Sequence, residues 1–373
     1  MTASNCEVAV IGGGLVGTAI AFGLRALGAR LAVFDEGDTA YRASRGNFGL
    51  IWVQGKGSGL APYGGWTQRS AREWPRLAAA LRDETGIDVA LRQAGGLHIC
   101  LSQRELDARA ATMAAMLAQP EFPRYAIDVL DRAAILRRLP GAGPDVVGGT
   151  WSALDGDCNP LRLLRALHAA LDRAGVARYS GHAVASVEPK APGFLVRTAQ
   201  RVVECGRVVL AAGLGNARLA PMLGLAAPVT PNKGQILVLE RVQSFLSMPL
   251  ETIRQTDDGT VLIGDSQQQR GLDESLDTAV LAAMAARAVR VFPLLRDVRV
   301  NRAWAALRVM SPNGFPIYGQ SRAHPGAFVV TCHSGVTLAA AHAFALAPMI
   351  EDGALMPELS PFAPDRFDVR AAA

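Results

Sequence analysis

The amino-acid sequence predicts an α/β protein in which two domains are interleaved along the chain. The first 35 residues follow the pattern of a strand, a glycine-rich turn, a helix and a second strand. Later segments have the pattern of short strands in antiparallel sheets. The 373 residues suffice for two domains, and no internal repeat or low-complexity linker separates them.

The opening segment predicts a βαβ unit. Residues 8–11 form a short apolar run that is typical of a strand buried on both faces. A glycine-rich turn follows at residues 12–17, and then a helix of small residues that stops before Gly28. Residues 31–34 form the second strand.

The rest of the chain predicts a mixture of helices and short strands. Helical patterns cover residues 103–139, 159–174 and 278–291, the second with an Asn-Pro start. Strand patterns cover residues 91–101, 183–187, 194–198, 202–203, 208–210, 236–239, 260–263 and 327–331. We expect a small antiparallel sheet within 183–203. Residues 304–318 combine strand and turn patterns, and the last helix, rich in alanine, is expected to end near Pro348.

The composition describes an ordinary globular protein. Half of the residues are hydrophobic and 19% are charged, which excludes a disordered chain and a coiled coil. The net charge is +5, and only Lys56, Lys190 and Lys233 are lysines, so nearly all of the positive charge is arginine. These arginines are spread without clusters, so we expect no nucleic acid among the partners.

The cysteines and the apolar segments indicate the compartment. Five scattered cysteines without a CxxC pair argue against a metal ion or an iron–sulfur cluster held by this chain alone. An odd number of cysteines without a signal peptide predicts the reducing cytoplasm. The apolar runs at 8–24 and 323–350 are interrupted by glycines and by a His-Ser-Gly turn, so we expect buried strands and helices rather than a transmembrane segment.

The glycine-rich turn carries the GxGxxG pattern at Gly12, Gly14 and Gly17. Backbone amides at a helix start bind a pyrophosphate, and glycine is required because a side chain would block close approach. Asp35 lies 21 residues after Gly14, where an acid hydrogen-bonds a ribose hydroxyl, and Glu36 follows it. We therefore expect a dinucleotide site. The alternative is a glycine-rich turn in an α/β domain without a cofactor.

Further motifs that lie far apart in the chain carry a family resemblance. They are Ala-Ser-Arg-Gly-Asn-Phe-Gly at 43–49, Ala-Val at 183–184, Ala-Ala-Gly at 211–213, Trp-Ala-Ala-Leu-Arg at 304–308, Pro-Asn-Gly-Phe-Pro-Ile-Tyr-Gly at 312–319 and His-Ser-Gly-Val-Thr-Leu at 333–338. With the opening fingerprint, they resemble the D-amino-acid oxidase family of FAD-dependent amine and amino-acid oxidoreductases over nearly the whole chain. The resemblance implies FAD rather than NAD as the cofactor.

The same resemblance implies a Rossmann-type FAD-binding domain interleaved with a substrate domain built on a mixed, largely antiparallel β-sheet. The FAD-binding domain is expected from residues 1–85, 150–220 and 320–373, and the substrate domain from 86–149 and 221–319. The residues assigned to the cofactor are Gly12, Gly14, Gly17, Asp35, Glu36, Ser44, Arg45, Asn47, Phe48, Gly49, Val184, Ala212, Gly213, His333, Ser334, Gly335, Val336, Thr337 and Leu338. The last four are expected to open a helix whose amides stabilise the negative charge of a reduced flavin.

Two segments are most similar to one branch of the family. Residues 44–57 and 332–339 resemble the B subunits of opine oxidases, which act on octopine and nopaline and are related to a hydrogen cyanide synthase subunit. Such subunits work with a larger A subunit and often with a small iron–sulfur protein. The resemblance implies these partners, with FMN or a 2Fe–2S cluster in a partner subunit or at an interface.

Arg308 is the candidate catalytic residue. An amino acid or an opine presents a carboxylate beside an amine-bearing carbon, and a guanidinium binds such a carboxylate through two hydrogen bonds and orients the C–H bond. The alternative is an arginine in a structural ion pair. Ala306 and Val309 stand where the family has Gly and Pro, and Asn313 where it has Asp, so the surrounding turn differs from the family pattern.

Other charged residues each have two interpretations. Lys56 and Lys233 are candidates for contact with flavin or substrate, although lysines are usually solvated. Arg254, Arg270 and Asp265 are candidates for the second carboxylate and the guanidino tail of an opine. The alternative, which the sequence favours, is that these three are exposed polar residues near hairpin ends.

The sequence therefore predicts an enzyme that oxidises the C–N bond of an opine-like secondary amine or amino acid. Hydride would pass to flavin N5, the imine would hydrolyse to an amino acid and a 2-oxo acid, and electrons would pass to partner subunits. One alternative is a glycine, D-amino-acid or hydroxyproline oxidase or dehydrogenase. Another is a non-catalytic, flavin-holding subunit that relays electrons. A third, an NAD-dependent dehydrogenase, would be excluded by a yellow protein.

Overall fold

The computed structural model describes residues 4–37 and 43–367. Its strands are β1 (Ser4–Ile11), β2 (Leu31–Asp35), β3 (Leu50–Ile51), β4 (Gly96–Cys100), β5 (Asp128–Asp131), β6 (Gly148–Ser152), β7 (Gly156–Asp157), β8 (Ala177–Ser180), β9 (Val184–Pro189), β10 (Phe194–Thr198), β11 (Val202–Leu210), β12 (Thr230–Arg241), β13 (Ile253–Gln255), β14 (Thr260–Ile263), β15 (Val300–Met310), β16 (Ile317–Gln320) and β17 (Ala327–Thr331). Residues 1–3, 38–42 and 368–373 of the predicted cofactor domain lie outside the described residues.

The helices alternate with these strands. They are α1 (Leu15–Ala26), α2 (Ala61–Thr85), α3 (Gln103–Leu117), α4 (Arg132–Arg138), α5 (Pro160–Arg173), α6 (Asn216–Leu219), α7 (Thr278–Val291), α8 (Ala339–Ala341) and α9 (Ala347–Glu351), with a π-helical turn at His342–Leu346. Short 3₁₀ helices cover Gly213–Gly215, Ala220–Leu223, Pro293–Asp297, Pro357–Phe362 and Pro364–Arg366. No helix of residues 4–37 and 43–367 has both the length and the apolar character needed to cross a membrane.

The central sheet has the order β16–β17–β11–β1–β2–β8, and its inner strands are parallel. Successive residues of β1 enter different cores, because strand side chains alternate between the two faces. Val8 and Val10 pack with α1 and the C-terminal helix, whereas Ala9 and Ile11 pack with β9, β10 and the segment around Leu219. All four side chains are buried, as expected for parallel strands covered on both faces.

The predicted antiparallel sheet of 183–203 is an extension of the central sheet. Strand β10 pairs with β9 and with the first half of β11. The segments predicted as separate strands at 202–203 and 208–210 are one strand, because β1 pairs with β11 continuously from Val203 to Leu210. This strand runs directly into Ala212 and Gly213 at the edge where the site lies.

A second sheet, antiparallel throughout, has the order β13–β14–β12–β15. Strands β12 and β15 pair along most of their length, and the register places Arg308 opposite Asn232. A third sheet, β4–β6–β5, approaches it through the amide of Glu251, which donates to the Leu97 carbonyl at 3.0 Å. The two antiparallel sheets are therefore joined where the chain at 249–251 contacts β4.

Two helix predictions are corrected by proline positions. The helical pattern of 103–139 is broken after Leu117 by Pro120 and Pro123, and β5 follows before α4 begins. The last helix continues beyond Pro348 to Glu351. Proline would normally clash with the carbonyl four residues earlier, and the π-helical turn just before it opens the hydrogen-bond ladder there.

The predicted domain boundaries cross two strands. The boundary at residue 150 falls inside β6, which pairs with β4 and β5 from the other predicted segment. The boundary at 319 falls inside β16, which pairs with β17 of the central sheet. The sequence predicted no strand at residues 148–152 and only a mixture of strand and turn patterns up to residue 318, so it could not say which sheet β6 and β16 join.

Candidate active site

A cavity of about 420 Å³ lies at the carboxyl ends of β1, β2, β11 and β17 and extends against β12 and β15. Most of the residues predicted for the cofactor line it: Gly12, Gly14, Asp35, Glu36, Ser44, Arg45, Asn47, Phe48, Val184, Ala212, Gly213, His333, Ser334, Gly335, Val336 and Thr337. Arg308 lines the same cavity. The glycine turn near the start of the chain and the histidine loop near its end therefore face one space.

Three residues predicted for the cofactor do not line the cavity. A Cβ on Gly17 would lie 2.0 Å from the Gly12 carbonyl oxygen, so this glycine allows α1 to pack against the turn. Gly49 has a φ of +96° and lies against the Cys158 carbonyl. Leu338 is fully buried in the core beneath the central sheet.

The backbone conformation of the glycine turn is fixed by close packing and by hydrogen bonds to neighbouring polar side chains. Gly12 has a φ of +117°, and a Cβ there would lie 2.3 Å from the Ala211 carbonyl oxygen, so only glycine fits. The Gly13 amide donates to Asp35 Oδ2 at 2.9 Å, and the Leu15 amide donates to Ser44 Oγ at 2.9 Å. Asp35 and Ser44 thus fix the turn as well as line the cavity.

Two buried donors beside the cavity lack partners within the described part of the chain. They are the indole nitrogen of Trp52 and the hydroxyl of Thr331, and both residues line the cavity. A buried polar group without a hydrogen bond is costly, so such atoms indicate that a ligand satisfies them. The glycine cradle and these donors fit an elongated, polar cofactor such as FAD.

Lys56 lies beside the histidine loop. Its ammonium donates to Ser334 Oγ at 3.0 Å and lies 3.0 Å from His333 Nε2. Burial lowers the pKa of His333 well below its usual value, so the neutral imidazole accepts this hydrogen bond. Burial also lowers the pKa of Lys56 to about 8. Among the described residues, no carboxylate forms an ion pair with Lys56.

Arg308 reaches the cavity from β15. Its Nη1 donates to the Ser266 carbonyl at 2.7 Å, and its Nη2 lies 3.4 Å from Asp265 Oδ1. A Cβ on Gly234 would lie 2.5 Å from Nη1, so this glycine makes room for the guanidinium. Asp265 has a φ of +76°, which is rare for a residue with a side chain and typical of functional sites.

Glu251 is a cavity residue that the sequence analysis missed. It lines the cavity, and its carboxylate is hydrogen-bonded to His98 Nδ1. The segment around His98 resembles a structural hairpin, and Glu251 lies in no recognisable motif. Only the contact between β4 and the chain before β13 brings the two together, so no local pattern could have found the pair.

Three other charged residues that the sequence offered for binding flavin or substrate do not line the cavity. Lys233 is buried and forms an ion pair with Asp273 at 2.7 Å. Arg254 is buried and forms an ion pair with Asp157 at 3.1 Å. Arg270 does not line the cavity. Of the candidates for binding an opine tail, the cavity therefore contains only Asp265.

Within residues 4–37 and 43–367, no group of histidine, cysteine and acidic side chains could hold a metal ion. The cysteines of these residues are all free thiols.

Comparison with known proteins gives three consistent findings. The profile of the DAO family, described as FAD dependent oxidoreductase, matches residues 7–349. The chain is 45% identical to the B subunit of opine oxidase from Rhizobium meliloti over 98% of this chain and 99% of the relative. It is 26% identical to the HcnC subunit of hydrogen cyanide synthase from Pseudomonas aeruginosa over 98% of this chain and 97% of the relative.

Among solved structures, glycine oxidase from Geobacillus kaustophilus superimposes with a TM-score of 0.89. The match covers 97% of this chain and 98% of that one at 24% sequence identity. The predicted fold class, an α/β fold like that of glycine oxidase with a Rossmann-type domain interleaved with a mixed, largely antiparallel sheet, is confirmed.

Proposed function

Since the chain belongs to the DAO family of FAD-dependent oxidoreductases and is an enzyme that acts on C–N bonds, we propose that it oxidises an opine-like secondary amine. The high identity to the B subunit of an opine oxidase, over nearly the full length of both chains, supports this substrate class. The products would be an amino acid and a 2-oxo acid, formed when water hydrolyses the imine.

One observation carries the proposal. The glycine turn, the histidine loop and Arg308 all line one cavity, although about 300 residues of sequence separate the glycine turn from the other two. When bound, FAD supplies the two-electron acceptor for the hydrogen on the carbon beside the amine. The task left to the protein is to hold the cofactor, orient the substrate and exclude water.

We propose that the cavity residues divide between these tasks. The adenosine and pyrophosphate would lie along Gly12, Gly14, Asp35 and Ser44. The turn that leads into the last helix, at Gly335–Thr337, would direct its amides toward the negative end of the ring. Arg308 would bind the carboxylate beside the reacting carbon, because a guanidinium forms two parallel hydrogen bonds to a carboxylate.

Lys56 would add a second cation near the substrate carboxylate or the flavin ring. Its ammonium lies in a cavity shared with Arg308, and the described residues give it hydrogen bonds but no ion pair. A buried ammonium without a counter-ion favours an anionic ligand. The substrate carboxylates and the reduced flavin would both supply an anionic group for Lys56.

We further propose that this chain is one component of a multi-subunit complex. Its relative in Rhizobium meliloti is named as the B subunit of its enzyme, and an A subunit and a small iron–sulfur protein would complete the assembly. FMN or a 2Fe–2S cluster in a partner or at an interface would receive the electrons. The cofactor domain is expected from 1–85, 150–220 and 320–373 and the substrate domain from 86–149 and 221–319. Since β6 pairs with β4 and β5, we propose that the boundary at 149/150 lies at the end of β6 instead.

The test is to purify the tagged chain with its native partners and to mix it, with and without oxygen, with a panel of opines, glycine and D-amino acids. We expect octopine or a related opine to bleach the flavin anaerobically. Bleaching by glycine or D-amino acids alone, with rapid reoxidation by oxygen, would support a plain oxidase instead. A yellow protein that none of these amines reduces would contradict the proposal and favour an electron-relay subunit.

A further inference from the structure

The antiparallel-sheet side of the cavity carries charges of both signs. Arg308 and Lys56 contribute the cations, and Glu251 and Asp265 contribute the carboxylates; all four line the cavity. Burial lowers the pKa of Lys56 and raises that of Asp265, and the nearby Glu251 carboxylate opposes the first shift and adds to the second. A ligand that fits this wall therefore carries both negative and positive groups.

The two carboxylates differ in how far they are already neutralised. Asp265 faces the Arg308 guanidinium at 3.4 Å. Glu251 has no arginine or lysine partner among the described residues, and its carboxylate is hydrogen-bonded only to His98. Burial opposes its ionisation, but the His98 hydrogen bond and nearby cations outweigh burial and lower the pKa of Glu251. Glu251 is therefore an ionised carboxylate that faces the cavity.

The position of Glu251 is fixed from two directions. Its backbone amide donates to the Leu97 carbonyl at 3.0 Å, which ties it to β4. His98, the next residue of that strand, holds the carboxylate. A merely structural ion pair would lie away from the ligand space, whereas Glu251 retains 30% side-chain exposure at the cavity wall.

We propose that Glu251, positioned by His98, binds the cationic end of the substrate. This inference rests on the proposed function. Arg308 would take the carboxylate at the reacting carbon, and Glu251 would take a guanidinium or ammonium group on the side chain of the same molecule. The preferred substrates are therefore opines derived from arginine or another basic amino acid, because a carboxylate recognises a guanidinium through two charge-assisted hydrogen bonds.

The test compares two substrates in Glu251→Gln. Octopine carries a guanidino tail, and alanopine, which joins two alanine skeletons through one nitrogen, carries none. We expect kcat/KM for octopine to fall roughly 10- to 100-fold, as for loss of a hydrogen bond to a charged group, mainly through KM. The value for alanopine should change less than about 3-fold. The matched control is Glu358→Gln, an exposed carboxylate paired with Arg69 far from the cavity.

Two further variants separate the outcomes. Glu251→Lys should reverse the preference, so that an opine with an acidic tail is favoured over octopine. If Asp265 positions the guanidinium of Arg308, Asp265→Asn should lower the activity on octopine and alanopine alike. If Asp265→Asn instead loses activity on octopine alone, and Glu251→Gln does not, then Glu251 does not bind the cationic tail.

Failure of this inference differs from failure of the proposed function. If octopine reduces the wild-type flavin but Glu251→Gln keeps the wild-type ratio of octopine to alanopine, only the role of Glu251 is wrong. If no opine reduces the wild-type flavin, both are wrong. FAD content and the melting temperature of each variant show whether it folds, and the Glu251→Lys preference does not depend on the stability of Glu251→Gln.

Discussion

At the scale of single residues, Arg308 shows what sequence motifs can and cannot predict. Its motif placed it near the cofactor, and the structure places it on the cavity wall. The motif did not predict Asp265, which lies 43 positions away and faces the same guanidinium. Asp265 holds the guanidinium of Arg308 in place, and under the proposed assignment a substrate carboxylate would compete with Asp265 for it.

The Arg308 assignment predicts that Arg308→Ala binds FAD normally but loses reduction by octopine. We expect the reduction rate at low substrate to fall at least 100-fold, on the order of 3 kcal/mol, because an oriented charge-assisted pair is lost. Arg308→Lys should recover little of it, since an ammonium lacks the two-pronged geometry. Anaerobic rapid mixing measures this rate, and unchanged reduction in Arg308→Ala would remove the residue from the mechanism.

Lys56 gives a prediction about pH. Burial lowers its pKa to about 8, so the ammonium is charged at neutral pH and loses its charge as the pH rises through about 8. The dissociation constant of a carboxylate product such as pyruvate should therefore rise about tenfold per pH unit above that value. Pyruvate has no group that titrates in this range.

The variant Lys56→Arg should keep the affinity for pyruvate constant across the same pH range, because a guanidinium stays charged. Perturbation of the flavin absorbance reports the binding. A dissociation constant that does not change with pH in the wild type would show that Lys56 does not serve the carboxylate.

At the scale of elements, the glycine turn depends on space as well as on backbone conformation. Gly12→Ala should yield a folded but colourless protein, because a Cβ would lie 2.3 Å from the Ala211 carbonyl oxygen. Gly28 also has a positive φ, +90°, but a Cβ there would meet open space. Gly28→Ala should therefore cost about 1 kcal/mol of stability and keep its FAD. Equal FAD content in the two variants would show that the glycine turn at Gly12 does not bind the cofactor.

The start of α5 is another element that the sequence predicted correctly. Asn159 Oδ1 accepts from the amides of Leu161 and Arg162, both at 3.1 Å. Asn159→Ala should therefore lower the free energy of unfolding by about 1 kcal/mol. The control is Asn301→Ala, whose amide makes one long hydrogen bond of 3.5 Å. Denaturant titration measures both, and equal losses would show that the cap contributes nothing.

At the scale of the whole molecule, the sequence predicted the fold class because its strongest signals are local. The glycine turn, the second strand and the Asn-Pro start each follow from a few adjacent residues. The boundaries between sheets were less predictable, since β6 and β16 join partners chosen by tertiary packing. The pairing of Glu251 with His98 had no signal, because it depends on contact between distant segments.

The central claim is that one FAD lies between the two ends of the chain with Arg308 beside its ring. The most direct measurement is an experimental structure of the FAD-loaded protein with a bound 2-oxo acid. We expect the adenosine beside Asp35, the ring against the loop at 333–337, and the carboxylate of the acid within hydrogen-bond distance of Arg308. A ring bound elsewhere, or an acid that does not touch Arg308, would contradict it.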